Sequence, residues 1–392
     1  MGTMLASAFW TFIAIVFYAY AGYPALIYAA SRALGRDPGP PEGPADPPPP
    51  ASLVVAAYNE ETVLGRRLRN ALSMEYPQGS LEILVGSDGS TDGTAEIARA
   101  FSGDGVKLLD FAENRGKASV LNDLVARAQG EIIMMSDANT DVDPSAALRL
   151  ARWFRDPGVG VVVGRLILVD PTTGRNADGM YWKYETFLKE CESRLGALLG
   201  ANGAIYAIRR GLYEPIPSGT IVDDFVVPLL ARIKSGCRVI YDRDAIAVEE
   251  TPHDLGSEFH RRARIGAGGF QSIGMLWKLL NPRRGWVAFA FLSHKILRWF
   301  CPFFLVGALV SNLTLASRPP YGILLVAQAG FYATAIVMAF VPPRVRSLRP
   351  LRLTTMFVSM NAALLVGFFR WLTGRQRGAW RRTARGAGEV AG

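Results

Sequence analysis

Three kinds of hydrophobic spacing divide the chain. From Leu5 to Ser31 no side chain is charged and Phe, Tyr, Ile and Ala dominate, a run long enough to cross about 30 Å of hydrocarbon as a helix. From Ala51 to about Gly285 short β-branched runs (Ser52–Ala56, Leu81–Val85, Glu131–Met135, Val159–Val169, Ala204–Ile208, Arg238–Val248) alternate with stretches of helical periodicity, which predicts α/β order. Leu53–Ala57 and Ile132–Met135 show no apolar/polar alternation, the pattern of strands covered on both faces. Beyond Gly285, Phe300–Ala316, Tyr321–Val341 and Leu353–Leu372 each predict a spanning helix. Trp286–Trp299, with His294, Lys295 and Arg298 among aromatic residues, predicts an interfacial segment.

The expected organisation is a membrane anchor (residues 1–32), a linker (33–50), an α/β domain (51–285), an interfacial helix (286–299), about three membrane helices (300–374) and a basic tail (375–392). The first apolar run lacks the early Lys or Arg of a cleaved signal, so a retained anchor is expected. Asp37–Pro50 is dominated by Pro, a composition that extends and buries no core. Arg32 and Arg36 place the α/β domain in the cytoplasm by the positive-inside rule. The same rule draws both Arg344–Arg352 and the Arg375–Arg385 tail inside, which three crossings cannot satisfy together.

Charge placement excludes one partner class. The net charge is +9; from Arg261 onward nineteen basic residues face the single acid Glu389, a balance of +18, while the remainder, 24 basic against 33 acidic, balances at −9. A nucleic-acid binder carries its basic face on the folded module; here that module is acidic, so no nucleic acid is expected and the basic end belongs with membrane lipids. Cys191, Cys237 and Cys301 lie far apart, without the spacing of a zinc site or a disulfide framework.

Candidate chemistry falls at the carboxyl ends of the expected strands, where open α/β sheets bind ligands. Ala57-Tyr58-Asn59-Glu60 follows the first strand and Gly86-Ser87-Asp88-Gly89-Ser90-Thr91-Asp92-Gly93 the second. Asp88 and Asp92 fit either base recognition or turn and cap duty. Asn114-Arg115-Gly116-Lys117 opens a helix whose first turn suits an anion. Ser136-Asp137-Ala138-Asn139-Thr140-Asp141 suits a divalent cation held through oxygens and donor phosphates. An EF-hand is excluded, since its sixth position is Val142 and its twelfth Leu148. Asp223-Asp224 either caps a helix or supplies the base that sugar transfer to a hydroxyl needs. Arg261-Arg262-Ala263-Arg264 offers guanidinium groups to a departing diphosphate or to anionic lipid.

In this order the clusters resemble family 2 of the inverting glycosyltransferases, with the GT-A (Rossmann-like nucleotide-diphospho-sugar transferase) fold, and in particular the membrane-integrated synthases of cellulose, hyaluronan and poly-N-acetylglucosamine. The resemblance implies that Ala57, Tyr58, Glu60, Asp88, Lys117 and Asp137 hold the nucleotide donor, a UDP-sugar by preference, and that Asp137 and Asn139 hold Mg2+ or Mn2+. It further implies that Asp224 is the catalytic base, that Asp223, Asn202 and Gly203 face the acceptor, and that Arg261 and Arg264 bind the diphosphate. Three positions depart from the family pattern: Asn139 stands where a second Asp is usual, Asp223 where Glu is usual, and Ile265 where Trp follows the arginine motif. The acceptor expected is a glycan or a lipid-linked sugar at the inner membrane, with an oligomer or an export partner left open. The rival reading is a catalytically inactive, membrane-anchored nucleotide sensor.

Overall fold

The structure is a computed structural model that describes residues 2–37, 39, 47–170, 176, 179–250, 255–341 and 349–376. Much of the Pro-rich linker, most of the Arg344–Arg352 stretch and nearly all of the basic tail lie outside the described residues. The described chain divides into two compact units: residues within Tyr28–His253 and Gly274–Ala290 form one, and those within Met1–Ile27, Asp254–Ile273 and Phe291–Gln376 form the other.

The first unit is built on an eight-stranded mixed sheet: β1 (Ala51–Ala57), β2 (Leu81–Asp88), β3 (Val106–Phe111), β4 (Ile132–Met135), β5 (Asp141–Val142), β6 (Val159–Val169), β7 (Tyr206–Arg209) and β8 (Arg238–Glu250). Their order is β3-β2-β1-β4-β7-β6-β8-β5. β1 pairs in parallel with β2 and β4, and β2 with β3, whereas β7 runs antiparallel to both β4 and β6. β1 shows why these strands lack alternation. Leu53 and Val55 pack with Leu64, Leu68 and Met134 on one face, and Val54 and Ala56 pack with Leu121, Leu124 and Ile133 on the other. Burying both faces at roughly 1.5–3 kcal/mol per large aliphatic side chain gives the sheet its rigidity.

The six strands expected from sequence are present, Val159–Val169 with the expected bounds and the others with shifted ends; the run read as Ala204–Ile208 pairs as Tyr206–Arg209. β3 and β5 were not expected. β3 is an edge strand, buried fully only at Val106, and β5 has two residues, so neither carries a strong periodic signal.

The second unit gathers apolar helices. Four described helices, Gly2–Ala33, Trp286–Thr314, Tyr321–Met338 and Pro350–Leu372, are long and apolar enough to cross a membrane, in agreement with one expected crossing before the α/β region and three after it. Within this unit Phe12 stacks on Phe304 at 6.0 Å and Tyr20 packs edge-on to Phe357 at 4.9 Å. The interfacial segment Trp286–Trp299 is continuous with the helix that follows, through a wider π-helical turn at Phe291–Ile296. The reason is packing. Ser293 bonds the Tyr18 hydroxyl at 2.9 Å, His294 stacks on Tyr23 and the Arg298 guanidinium lies 5.5 Å from the centre of the Tyr20 ring, so these polar residues are buried among helices.

Candidate active site

The rim at the carboxyl ends of β1, β2 and β4 is assembled by side chains that bond to neighbouring loops. After β1 the chain turns at Asn59, whose φ of 54° is left-handed, a conformation that asparagine tolerates better than most residues. Its Oδ1 accepts from the Thr91 amide at 2.8 Å, and the Glu60 amide donates to Thr94 Oγ1 at 2.8 Å. Glu61 Oε2 accepts from the Gly93 amide at 3.0 Å. These bonds clasp the β1 and β2 loops into one wall, on which Ala57 is buried and Tyr58 half-buried.

Asp88 ends β2 with its carboxylate turned inward. Oδ1 accepts from the Arg115 amide and Oδ2 from the Gly116 amide, both at 2.8 Å. The buried acid therefore orders the loop that precedes Lys117. Gly89 permits this fold: at φ 64° a Cβ would lie 2.5 Å from the Glu113 carbonyl carbon.

Lys117 is the first residue of the helix Lys117–Arg127. Its Nζ lies 2.6 Å from Asp137 Oδ1 and 3.2 Å from Asp223 Oδ2, with only 18% of its side chain exposed. Burial by itself lowers the pKa of this ammonium, but Asp137, Asp223 and Asp224 outweigh it and hold Lys117 above its ordinary range. Three residues expected to serve nucleotide, metal and acceptor thus meet in one charge cluster.

Asp137 is locked to the β7 side of the rim. Its amide donates to the Gly203 carbonyl at 3.0 Å, and Ser136 Oγ donates to the Ala204 carbonyl at 2.7 Å. A Cβ on Gly203 would lie 2.3 Å from Asp137 Oδ2, so glycine is what keeps that oxygen open. Among the described residues no three His, Cys, Asp or Glu side chains form a metal cage. Magnesium-type sites use one or two carboxylates and complete their shell with substrate phosphates and water. The half-buried Asp137 and the neighbouring Asn139 fit such a group.

Asp223 and Asp224 open the helix Asp223–Ser235, where the helix dipole favours negative charge. Asp223 is buried, Asp224 is partly exposed, and the Asp224 carbonyl accepts from the Ala201 amide at 2.9 Å. Asn202 is buried, and its amide group donates to the Gly164 carbonyl at 3.1 Å, so its side chain braces the loop from within. Sequence reading missed Tyr206. Its phenol is buried without a hydrogen-bond partner among the described residues, and burial, with Asp223, Tyr213, Asp224 and Asp137 nearby, holds its pKa well above the ordinary range. No motif marks it, because it reads simply as one apolar strand position.

Arg261 and Arg264 lie on the helix Leu255–Leu276, in the part assigned to the helical unit. Glu258 binds Arg261 through Nε at 2.8 Å and Arg262 at 2.6 Å; Arg264 is exposed.

Residues 52–214 match the family model described as Glycosyl transferase family 2. This stretch is a family 2 glycosyltransferase domain. Poly-beta-1,6-N-acetyl-D-glucosamine synthase from Staphylococcus epidermidis is 28% identical over 235 residues, covering 57% of this chain and 55% of the relative. The synthase of the same name from Staphylococcus aureus (strain COL) is 27% identical over the same length and coverage. The chain spans about half the length of the curated relatives it matches. Among solved structures, mannosyltransferase PcManGT from Pyrobaculum calidifontis, in complex with GDP-Man and Mn2+, superposes with a TM-score of 0.72 at 22% identity, covering 95% of this chain and 99% of that one. The fold around the family 2 domain is accordingly GT-A.

Proposed function

We propose that the protein is a membrane-anchored inverting glycosyltransferase that moves a sugar from a nucleotide-diphosphate donor, by preference a UDP-sugar, to a glycan or lipid-linked acceptor. The observation that carries this reading is the buried Lys117 held between Asp137 and Asp223, with Asp224 next in sequence. It joins the donor-side loop, the candidate cation ligand and the candidate base in one cluster on the rim of a GT-A sheet.

In this reading Ala57, Tyr58 and Glu60 border the base and ribose, and Asp88 acts by positioning the Arg115–Lys117 loop beneath them. Asp224 takes the proton of the acceptor hydroxyl as that oxygen attacks the anomeric carbon from the face opposite the diphosphate, which inverts the stereochemistry. It stands in the first turn of the helix Asp223–Ser235, where the helix dipole favours negative charge. Asp223 and Gly203 lie on the acceptor side of the same cluster. A divalent cation at Asp137 and Asn139 would supply positive charge to the diphosphate. The diphosphate role of Arg261 and Arg264 belongs to the proposal on the strength of their motif alone. The location proposed is the inner membrane, with the catalytic unit in the cytoplasm, supported by four candidate spans and by Arg32 and Arg36 after the first.

The test is release of nucleoside diphosphate by the purified full chain from a panel of UDP-, GDP- and dTDP-sugars, with Mg2+, Mn2+ or chelator. Turnover with one donor, falling by about 10²–10⁴ in Asp224→Asn, is expected. Donor binding without turnover, in the presence of membrane lipid, would replace this reading with the nucleotide sensor.

A further inference from the structure

Immediately before the candidate span Trp286–Thr314 the chain makes two 3-10 turns, Trp277–Leu280 and Pro282–Arg284. They are joined by Asn281, whose Oδ1 accepts from the Arg283 amide at 3.0 Å. Leu276 and Leu279 are fully buried beneath them, while Trp277 is 63% exposed, Leu280 37% and Trp286 36%. Arg284 straps the pair from below, its Nε donating to the Lys278 carbonyl at 3.1 Å and its Nη2 to the Ile233 carbonyl at 3.4 Å. The turns border an open cavity of about 520 Å³ lined by Trp277, Lys278, Leu280, Asn281 and Arg284.

Two features of this cavity point to one ligand. Residues 274–290 contain Lys278, Arg283 and Arg284 and no acid, and none of the three pairs with a carboxylate among the described residues. Cations whose charge no internal carboxylate balances attract an anion to the cavity beside them. A soluble anion, however, gives no reason for an exposed indole and leucine on the same rim. An amphipathic molecule does, since its phosphate meets the cations while its glycerol and upper acyl carbons cover Trp277 and Leu280. The chain enters an apolar span nine residues after Trp277, which sets this cavity at headgroup depth.

We propose that the 277–284 turn pair is a binding site for the headgroup of an anionic phospholipid, with Lys278 and Arg284 holding the phosphate and Trp277 and Leu280 seated against the glycerol backbone. The proposal rests on the membrane location given above. Lys278 has no ion pair to lose among the described residues, so it is the residue through which headgroup charge is read.

The full chain is reconstituted into vesicles containing brominated phosphatidylglycerol or brominated phosphatidylcholine at equal mole fraction, and tryptophan emission is recorded with and without Trp277→Phe to isolate the Trp277 contribution. Quenching of Trp277 at least twofold stronger by the brominated anionic lipid is expected. Lys278→Gln should make the two lipids equal and Lys278→Arg should restore the difference, whereas millimolar inorganic phosphate should leave it unchanged. Equal quenching by both lipids in the unaltered protein overturns the headgroup site while leaving the membrane location intact. Abolition of the difference by inorganic phosphate also overturns it, in favour of a general anion site. Absence of quenching at any tryptophan by either lipid overturns the site and the membrane reading together.

Discussion

Both oxygens of Asp88 are engaged by main chain, and Oδ2 meets the Gly116 amide at 2.8 Å one residue before the lysine of the charge cluster. Asp88→Asn replaces one of the two acceptors with an amide that faces a donor. With charge-assisted bonds contributing about 1.5–3 kcal/mol, affinity for UDP should fall by roughly one to two orders of magnitude. Calorimetric titration of UDP checks this, and an unchanged dissociation constant would show that the Arg115–Lys117 loop holds itself.

Gly203→Ala places a Cβ 2.3 Å from Asp137 Oδ2. The carboxylate must swing away, so the Mn2+ concentration for half-maximal turnover should rise about tenfold or more with little change in unfolding temperature. An equal response of Gly203→Ala and the unaltered chain to Mn2+ would remove Asp137 Oδ2 from the cation site.

Lys117→Met leaves Asp137 and Asp223 uncompensated in a largely buried place, a loss of about 3–5 kcal/mol by comparison with other broken buried pairs. The pH dependence has a definite sign. The folded-state pKa of Lys117 lies above its ordinary value, so its contribution is complete below the unfolded value of about 10.4 and is lost only as pH rises through the folded value. The stability gap between Lys117→Met and the unaltered protein should therefore be constant from pH 6 to about 9. Denaturant unfolding at several pH values measures it, and a gap closing towards pH 8 would contradict the pairing.

Glu82 gives the opposite sign. Burial raises its pKa, but the Gln129 amide at 2.5 Å, the Ser52 hydroxyl and Lys107 at 3.0 Å outweigh that and hold the carboxyl below its ordinary 4.5. Its contribution is present above pH 4.5 and lost as pH falls through the lower folded value. Glu82→Gln should cost about 2 kcal/mol near neutrality and much less in acid, as read from unfolding midpoints at pH 7 and pH 3.

How much of this was legible beforehand follows from what each residue contacts. Ser136-Asp137 and Asp223-Asp224 could be placed on the rim from sequence, because strands and helix starts announce themselves by local pattern. Their meeting at Lys117 could not, since it depends on β7 reversing between β4 and β6, and strand order is set by long-range packing. Nothing local reveals that the amides of residues 115 and 116 reach Asp88, so sequence left its base-recognition and turn readings both open. Asn202 turned inward for the same reason, its partner Gly164 being 38 residues away. The packing of His294 and Arg298 was hidden in the same way, because their aromatic partners, Tyr23 and Tyr20, belong to the opposite end of the chain.

The reversal of β7 also decides how this protein can move. The strand that leaves the core at Asp137 and the one that re-enters it after Gly203 are neighbours in a single ladder, tied again at Ser136 and Ala204. A hinge between the two would have to tear main-chain bonds at the centre of the sheet. Opening and closing around a substrate therefore falls to the clasped turns at Asn59 and Thr91 and to side-chain rotation, motions that are faster and of smaller amplitude than a rearrangement of domains.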